Sequence, residues 1–299
     1  MSTLSQDLRR AFQANGNVLH RLILYNVVVF AVLVVVKAGL HLSGQDLAYD
    51  TAVRWLTLPA YAPTLLTRPW TLLTYAFIHE DFWHILFNLL NLFYFGQIIQ
   101  EYLGPRRLVA LYVLGALAGG ALFVVGVNFV PVLNGQLLFN TLRGASGAVT
   151  AIIVAAATLV PNYTFMLILL GPVRIKWIAA VLVLLSVAGL SGGNAGGELA
   201  HLGGAVLGFA FIKALQSGTD LGRPVLAVGT WVSSLFGHTP AMHVSYRAAP
   251  GQPARTAASG NLTATEQTEL DSLLDRVNRV GYPGLSKAEK ERLFYLSQR

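Results

Sequence analysis

The sequence contains no cysteine among its 299 residues, and only 12% of its residues are charged. The absence of cysteine excludes disulfide bonds and catalysis by a thiol, and it gives no indication of the redox compartment. Soluble domains carry about 25% charged residues, so the shortage of charge and the 54% hydrophobic content indicate a membrane protein. The first 20 residues are polar and lack a short apolar core with a cleavage site, so we expect no removable signal peptide.

Long apolar stretches recur along the first two thirds of the chain. A span needs about 20 apolar residues to cross a hydrocarbon core of roughly 30 Å. We predict an all-α integral membrane protein, with a six-helix domain over residues 22–216 and a cytosolic N-terminal segment over residues 1–21. The predicted spans are Leu22–Leu40, Trp83–Tyr102, Leu108–Val127, Ser146–Val160, Ile175–Leu190 and Leu199–Leu215.

The basic residues between these spans are distributed unequally. One side holds nine: Arg9, Arg10, Arg21, Arg106, Arg107, Arg174, Lys176, Lys213 and Arg223. The other holds four: Lys37, Arg54, Arg68 and Arg143. Because cytoplasmic loops carry the excess of lysine and arginine, both termini are predicted to be cytoplasmic. The net charge of +7 is therefore a topology signal, and we expect no nucleic-acid partner.

The residues after the last span differ in composition from the membrane domain. Residues 217–260 are rich in glycine, proline, alanine and threonine, which predicts a flexible linker. Residues 261–299 are predicted to form a small cytosolic helical hairpin. Thr263 with Glu266 and Ser286 with Glu289 have the spacing of capping boxes, and Gly281 is placed as a helix stop between them. This module is a candidate for binding a cytosolic partner that the sequence does not identify.

Polar residues cluster near the outer ends of the second, fourth and sixth spans. His84 and Asn88 lie four residues apart, on one face of the second helix. Ser146 begins the fourth span, and His201 is the third residue of the sixth. Because these three spans run in the same direction, we expect the four side chains to meet at one depth, on one side of the membrane.

Small residues repeat at four-residue spacing in the fourth and sixth spans. Such faces let membrane helices pack backbone to backbone. Gly144 permits a sharp turn before Ser146, and Gly147 permits close approach of another chain. We predict that this packing brings Ser146 Oγ within hydrogen-bond reach of His201, a base that a serine nucleophile needs. The two series are Gly147, Ala151 and Ala155, and Gly196, Ala200, Gly204 and Gly208.

Three motifs resemble those of the rhomboid family of intramembrane serine proteases. They are GASG at 144–147, AHLGGAVLG at 200–208 and HILFN at 84–88. The resemblance covers roughly residues 22–215. It implies that Ser146 is the nucleophile and His201 the general base, and that His84 and Asn88 are oxyanion donors. It also implies supporting roles in close packing, for Gly144, Gly147, Ala200, Gly204 and Gly208.

The resemblance implies hydrolysis of peptide bonds in or next to transmembrane helices of other membrane proteins, within the lipid bilayer. It implies no cofactor and no metal. A multi-pass protein of a bacterial inner membrane is expected. One departure concerns Thr150, because many relatives carry an aromatic residue four positions after the serine that packs against the base. Orientation of His201 is then expected to come from another group.

Other functional classes fit the sequence less well. His79 and His84 are five residues apart, whereas a helical zinc site needs HExxH spacing. No predicted span contains an aspartate, which excludes an aspartyl intramembrane protease. A transporter would place charges or broken helices near the midplane. The remaining alternative is an inactive rhomboid-like protein that binds membrane clients, although such relatives typically lose the serine or the histidine, which this chain keeps.

Overall fold

The computed structural model describes residues 18–134, 140–167, 170–235 and 263–297. The chain divides into two compact units, Met1–Thr239 and Pro240–Arg299. The described residues are mostly helical, as expected from the sequence. In chain order the helices are α1 (Val18–Leu42), α2 (Asp46–Arg54), α3 (Ala62–Thr67), α4 (Thr71–Thr74), α5 (Phe82–Leu103), α6 (Pro105–Phe129), α7 (Pro131–Asn134), α8 (Ser146–Leu159), α9 (Ile175–Gly189), α10 (Ala195–Gln216), α11 (Arg223–Leu235), α12 (Ala264–Val280) and α13 (Lys287–Ser297).

Four of the described helices, α1, α5, α6 and α10, are long and apolar enough to cross a membrane. Two further apolar helices, α8 and α9, have only 14 and 15 residues. At 1.5 Å per residue, α8 is about 21 Å long, which is shorter than a hydrocarbon core of roughly 30 Å. Each of the six predicted spans coincides with one of these helices, although those at 146–160 and 175–190 extend one residue beyond the helix.

Two short antiparallel strand pairs connect the helices. β1 (Leu58–Pro59) pairs with β2 (Thr141–Leu142), with Leu58 opposite Leu142. This pairing attaches the segment that precedes α8 to the loop that follows α2. β3 (Thr164–Leu167) and β4 (Gly171–Arg174) pair between α8 and α9.

Helices α6, α8 and α10 pack with almost no side chain between their backbones. A Cβ atom added at Gly204 would collide with the carbonyl oxygen of Gly147, and one added at Gly208 would collide with that of Ala151. On α6, a Cβ at Gly119 would lie 2.8 Å from the Ala200 carbonyl oxygen. Small residues at these positions are what lets membrane helices approach this closely.

The start of α10 differs from the prediction. The helix begins at Ala195, four residues before the predicted boundary, so His201 is its seventh residue and not its third. In the structure the glycine at 196 makes room for a neighbour, because a Cβ there would lie 2.8 Å from the Phe123 ring. The longer helix places Glu198 in the first turn, where a carboxylate interacts favourably with the helix dipole.

The stretch predicted as a linker over 217–260 is helical in its first part. Arg223–Leu235 forms α11, because its apolar residues recur at helical spacing and give one apolar face. Several of them are exposed, among them Trp231 at 63% and Leu235 at 64%. Residues 236–262, which make up most of the rest of the predicted linker, lie outside the described part of the chain.

The second unit contains α12 and α13. Thr263 caps α12 through a capping box with Glu266, and the helix ends at Gly281, which has a φ of 73°. Ser286 and Glu289 make the equivalent reciprocal contacts before α13. Two ion pairs join the helices, Arg292 with Glu269 at 2.8 Å and Arg276 with Glu289 at 2.9 Å.

Candidate active site

One cavity of about 560 Å³ contains the side chains that the sequence singled out. Its lining includes Ser146 from α8, His201 from α10, and His84 and Asn88 from α5. Thr150, one turn beyond Ser146, lines it as well. Three helices that are distant in sequence therefore present a hydroxyl, two imidazoles and an amide to the same space.

Ser146 is the first residue of α8. Its position leaves its backbone N–H without a carbonyl partner inside the helix, since the first four N–H groups of any helix lack one. The hydroxyl makes no hydrogen bond to any residue that the structure describes. Both groups are therefore available to a molecule that occupies the cavity.

Gly144 turns the chain sharply just before Ser146. Its φ is 112°, a conformation that residues with a side chain rarely adopt. A Cβ atom at this position would also lie 2.6 Å from His84 Nε2. Glycine therefore serves twice here, because it permits the turn and lets the His84 ring lie against the backbone that leads into Ser146.

Asn88 is nearly buried, with 6% of its surface exposed. Its amide nitrogen donates a hydrogen bond of 2.9 Å to the carbonyl oxygen of His84, one turn earlier on the same helix. The contact is within α5 and does not join two helices. An amide nitrogen has two protons, so one N–H remains for a group in the cavity.

His201 is held through its Nδ1 atom. Nδ1 lies 3.0 Å from Glu198 Oε2 and 3.1 Å from Ser186 Oγ. The predicted hydrogen bond from Ser146 Oγ to His201 is not formed in this structure. Since Nδ1 is engaged by these two groups, Nε2 is the nitrogen that remains to accept a proton. Hydrogen bonds in the catalytic groups of ligand-free enzymes are often long and tighten when substrate binds.

A further histidine, His79, contacts the loop that precedes α8. His79 is 4% exposed and its ring contacts that of His84, with centroids 5.0 Å apart. It lies before the start of α5, so the two imidazoles meet although a continuous helix would separate them. Burial lowers the pKa of His79 to about 4, which keeps the ring neutral. The Ala145 N–H points to its Nε2 across 3.5 Å, a long hydrogen bond.

An ion pair also connects this loop to the segment that precedes α5. Arg143 Nε lies 3.0 Å from Glu80 Oε1, and both residues line the cavity. The two side chains are 35% and 54% exposed, so the pair is worth at most about 1 kcal/mol. Within the described residues, no group of three or more histidine, cysteine, aspartate and glutamate side chains is placed to hold a metal ion.

Sequence reasoning missed Glu198 and Ser186, the two partners of His201. Glu198 carried a signal that would have found it, because it lies three residues before His201 on one helix and ionisable residues within membrane segments are rare. Ser186 carried none. It is on α9, and its contact with His201 depends on how α9 packs against α10.

Comparison with known proteins identifies two families along the chain. The rhomboid domain matches residues 66–217, and a family of unknown function (DUF6576) matches residues 263–299. RHOMBOID-like protein 12, mitochondrial, of Arabidopsis thaliana is 34% identical over 146 residues, which is 46% of this chain and 44% of that protein. Rhomboid protein 1, mitochondrial, of Saccharomyces cerevisiae is 31% identical over 165 residues, or 52% of this chain and 45% of the relative.

A bacterial relative is similar over a shorter region. The rhomboid protease GlpG of Klebsiella pneumoniae is 39% identical over 77 residues, which is 25% of this chain and 28% of that protein. The matched regions thus span less than half the length of each of these three relatives.

Proposed function

The chain belongs to the rhomboid family, and we propose that it is an intramembrane serine protease that hydrolyses peptide bonds in or next to the transmembrane helices of other membrane proteins. The observation that supports this most directly is the cavity shared by Ser146, His201, His84 and Asn88. A nucleophile, a base and hydrogen-bond donors in one cavity are the groups that acyl transfer requires.

The proposed membrane arrangement has six spans, with α8 and α9 crossing as well as the four longer helices. Both termini are cytoplasmic, as the distribution of basic residues indicates. A helix as short as α8 begins below the outer surface, and irregular backbone at that depth is tolerated only inside protein or beside a water-filled cavity. We propose that the cavity at Ser146 is filled with water and so meets this condition. The relatives include mitochondrial and bacterial proteins, so a bacterial inner membrane stays a prediction from the resemblance.

The proposed reaction begins with attack of Ser146 Oγ on the carbonyl carbon of the substrate peptide. His201 Nε2 takes the hydroxyl proton, and the carbonyl π electrons move to its oxygen. Collapse of this intermediate breaks the C–N bond, and the leaving amine takes the proton from Nε2. Water then hydrolyses the acyl-enzyme, with His201 again acting as the base, and releases the second product.

Charge develops on the substrate oxygen during both steps. The Ser146 backbone N–H, the free N–H of Asn88 and the His84 imidazole line the side of the cavity where we propose that this oxyanion lies. Donors fixed in advance stabilise the transition state more than the ground state. We propose that Gly144 lets His84 reach this position, and that Gly147, Ala200, Gly204 and Gly208 hold α8 and α10 close enough for Ser146 and His201 to act together.

The test is cleavage of a transmembrane reporter substrate by purified protein in detergent or liposomes. Wild type is compared with Ser146→Ala, and a serine-reactive phosphonate is used to label the same two proteins. We expect cleavage and labelling by wild type, and loss of both in Ser146→Ala. Cleavage that survives Ser146→Ala would show that Ser146 is not the nucleophile. An absence of cleavage and labelling, combined with binding of membrane clients, would favour the inactive rhomboid-like class.

A further inference from the structure

Glu198 and His201 lie three residues apart on α10, and their side chains are in contact. The distance from Glu198 Oε2 to His201 Nδ1 is 3.0 Å, and the two side chains are only 20% and 25% exposed. The contact is made with Nδ1, whereas Nε2, the other ring nitrogen, is the atom that we propose as the base. A carboxylate on Nδ1 is the arrangement that fixes the tautomer of a catalytic histidine in other serine hydrolases.

The surroundings of Glu198 are shaped to receive its side chain. A Cβ atom added at Gly189, the last residue of α9, would lie 2.8 Å from Glu198 Cγ and 2.9 Å from Cδ. Any larger residue at 189 would displace the carboxylate. Ser186, one turn earlier on α9, is 5% exposed and places its hydroxyl 3.1 Å from the same His201 nitrogen. Two independent features of α9 thus converge on the pair.

We propose that Glu198 is a positioning residue that extends the serine–histidine pair into a Ser146–His201–Glu198 relay. This rests on the proposed protease function. The Glu198 carboxylate accepts the Nδ1 proton, so that the lone pair lies on Nε2 and faces the nucleophile. When Nε2 takes the proton of Ser146, the carboxylate stabilises the imidazolium and keeps its own charge.

The position of Glu198 on its helix suits a carboxylate. It lies in the first turn of α10, where the N-terminal end of the helix dipole stabilises negative charge. A charge-assisted hydrogen bond is roughly twice as strong as a neutral one. The relay also supplies the orientation of His201 that Thr150, in place of an aromatic residue, does not provide.

The experiment separates the charge of Glu198 from its position. Glu198→Gln keeps the size of the side chain and an acceptor oxygen but removes the charge. Gly189→Ala keeps the charge but pushes the carboxylate away from His201. Glu101→Gln is the control. It removes an exposed carboxylate near the C-terminal end of α5, whereas His84 and Asn88 lie near the N-terminal end of that helix. Each variant is assayed for kcat, KM, the rate of phosphonate labelling of Ser146 and the thermal unfolding midpoint.

We expect Glu198→Gln and Gly189→Ala each to lower kcat and the labelling rate by about 10- to 100-fold, a part of the roughly 10²–10⁴-fold that general base catalysis as a whole contributes. KM and the unfolding midpoint of Glu198→Gln should stay near wild type, and Glu101→Gln should resemble wild type throughout. A Glu198→Gln enzyme with kcat within twofold of wild type would overturn the relay. The relay would also be overturned if the activity of Glu198→Gln falls only in proportion to a fall in its unfolding midpoint.

The same assay distinguishes failure of this inference from failure of the proposed function. If wild type cleaves and Ser146→Ala does not, the protease assignment holds and only the role of Glu198 is in question. If wild type neither cleaves nor reacts with the phosphonate, the protease assignment itself fails, and the relay fails with it.

Discussion

At the scale of single residues, Asn88 distinguishes catalysis from packing most sharply. Its only hydrogen bond to a described residue goes to its own helix, so its removal breaks no link between helices. We predict that Asn88→Ala lowers kcat by roughly 10²–10³, the loss caused by removing one side-chain oxyanion donor from a soluble serine protease. The unfolding free energy should fall little, since even an amide hydrogen bond between membrane helices, which Asn88 does not make to any described residue, would be worth only about 0.6 kcal/mol on average. Steady-state cleavage and thermal unfolding of one preparation check both.

Asn91 offers a matched control for this measurement. It lies on α5 close to Asn88, and its amide nitrogen donates a 2.8 Å hydrogen bond to the Phe87 carbonyl oxygen in the same way. Asn91→Ala therefore removes the same chemical group and the same local contact at a position to which we assign no donor role. An Asn88→Ala protein that is unstable but has a normal rate per folded molecule would leave the oxyanion to His84 and the backbone.

At the scale of helices, the packing of α8 against α10 brings Ser146 and His201 to one cavity. We predict that Gly204→Ala destabilises the protein by about 1–3 kcal/mol, the usual cost of an added group in a packed core. The methyl group would collide with the Gly147 carbonyl oxygen, next to Ser146, so the helices must move apart. Phosphonate labelling of Ser146 should fall together with the unfolding midpoint, and both are measured in detergent.

The control for this prediction is Gly39→Ala on α1. A Cβ atom at Gly39 meets nothing within 4 Å. Alanine is favoured over glycine within a helix by roughly 1 kcal/mol, so Gly39→Ala should leave the protein as stable as wild type or slightly more stable. If the Gly204→Ala protein is as stable as Gly39→Ala and is labelled as fast, the close packing of α8 against α10 is contradicted.

At the scale of the whole molecule, the absence of cysteine makes the topology directly measurable. A single cysteine can be introduced without any background thiol in the chain. Val132 follows α6 and is 86% exposed, and Ser217 follows α10. We predict that a membrane-impermeant maleimide labels Val132→Cys in intact cells, and labels Ser217→Cys only after lysis. The opposite pattern would overturn the assignment of cytoplasmic termini from the basic residues.

The six apolar helices were predictable because the bilayer imposes its demands locally. Within hydrocarbon every backbone polar group must be satisfied inside its own segment, so a long apolar stretch has little choice but to be a helix. The meeting of Ser146, His201, His84 and Asn88 in one cavity was also predictable, since each stands in a short motif at one end of a predicted span. At residues 223–235 composition predicts a linker, whereas the helical spacing of the apolar residues favours the helix that the structure contains.

The partners of these side chains were decided by tertiary structure. Glu198 reaches His201 because α10 begins one turn earlier than its hydrophobicity suggested, and because Gly189 leaves a space on α9. Ser186 meets the same imidazole through the rotation of one helix against another, which no local pattern encodes. The sequence by itself thus determined which helices form and which groups they carry, since hydrophobicity and motif are local properties. The packing of small residues between distant helices determined which atoms meet.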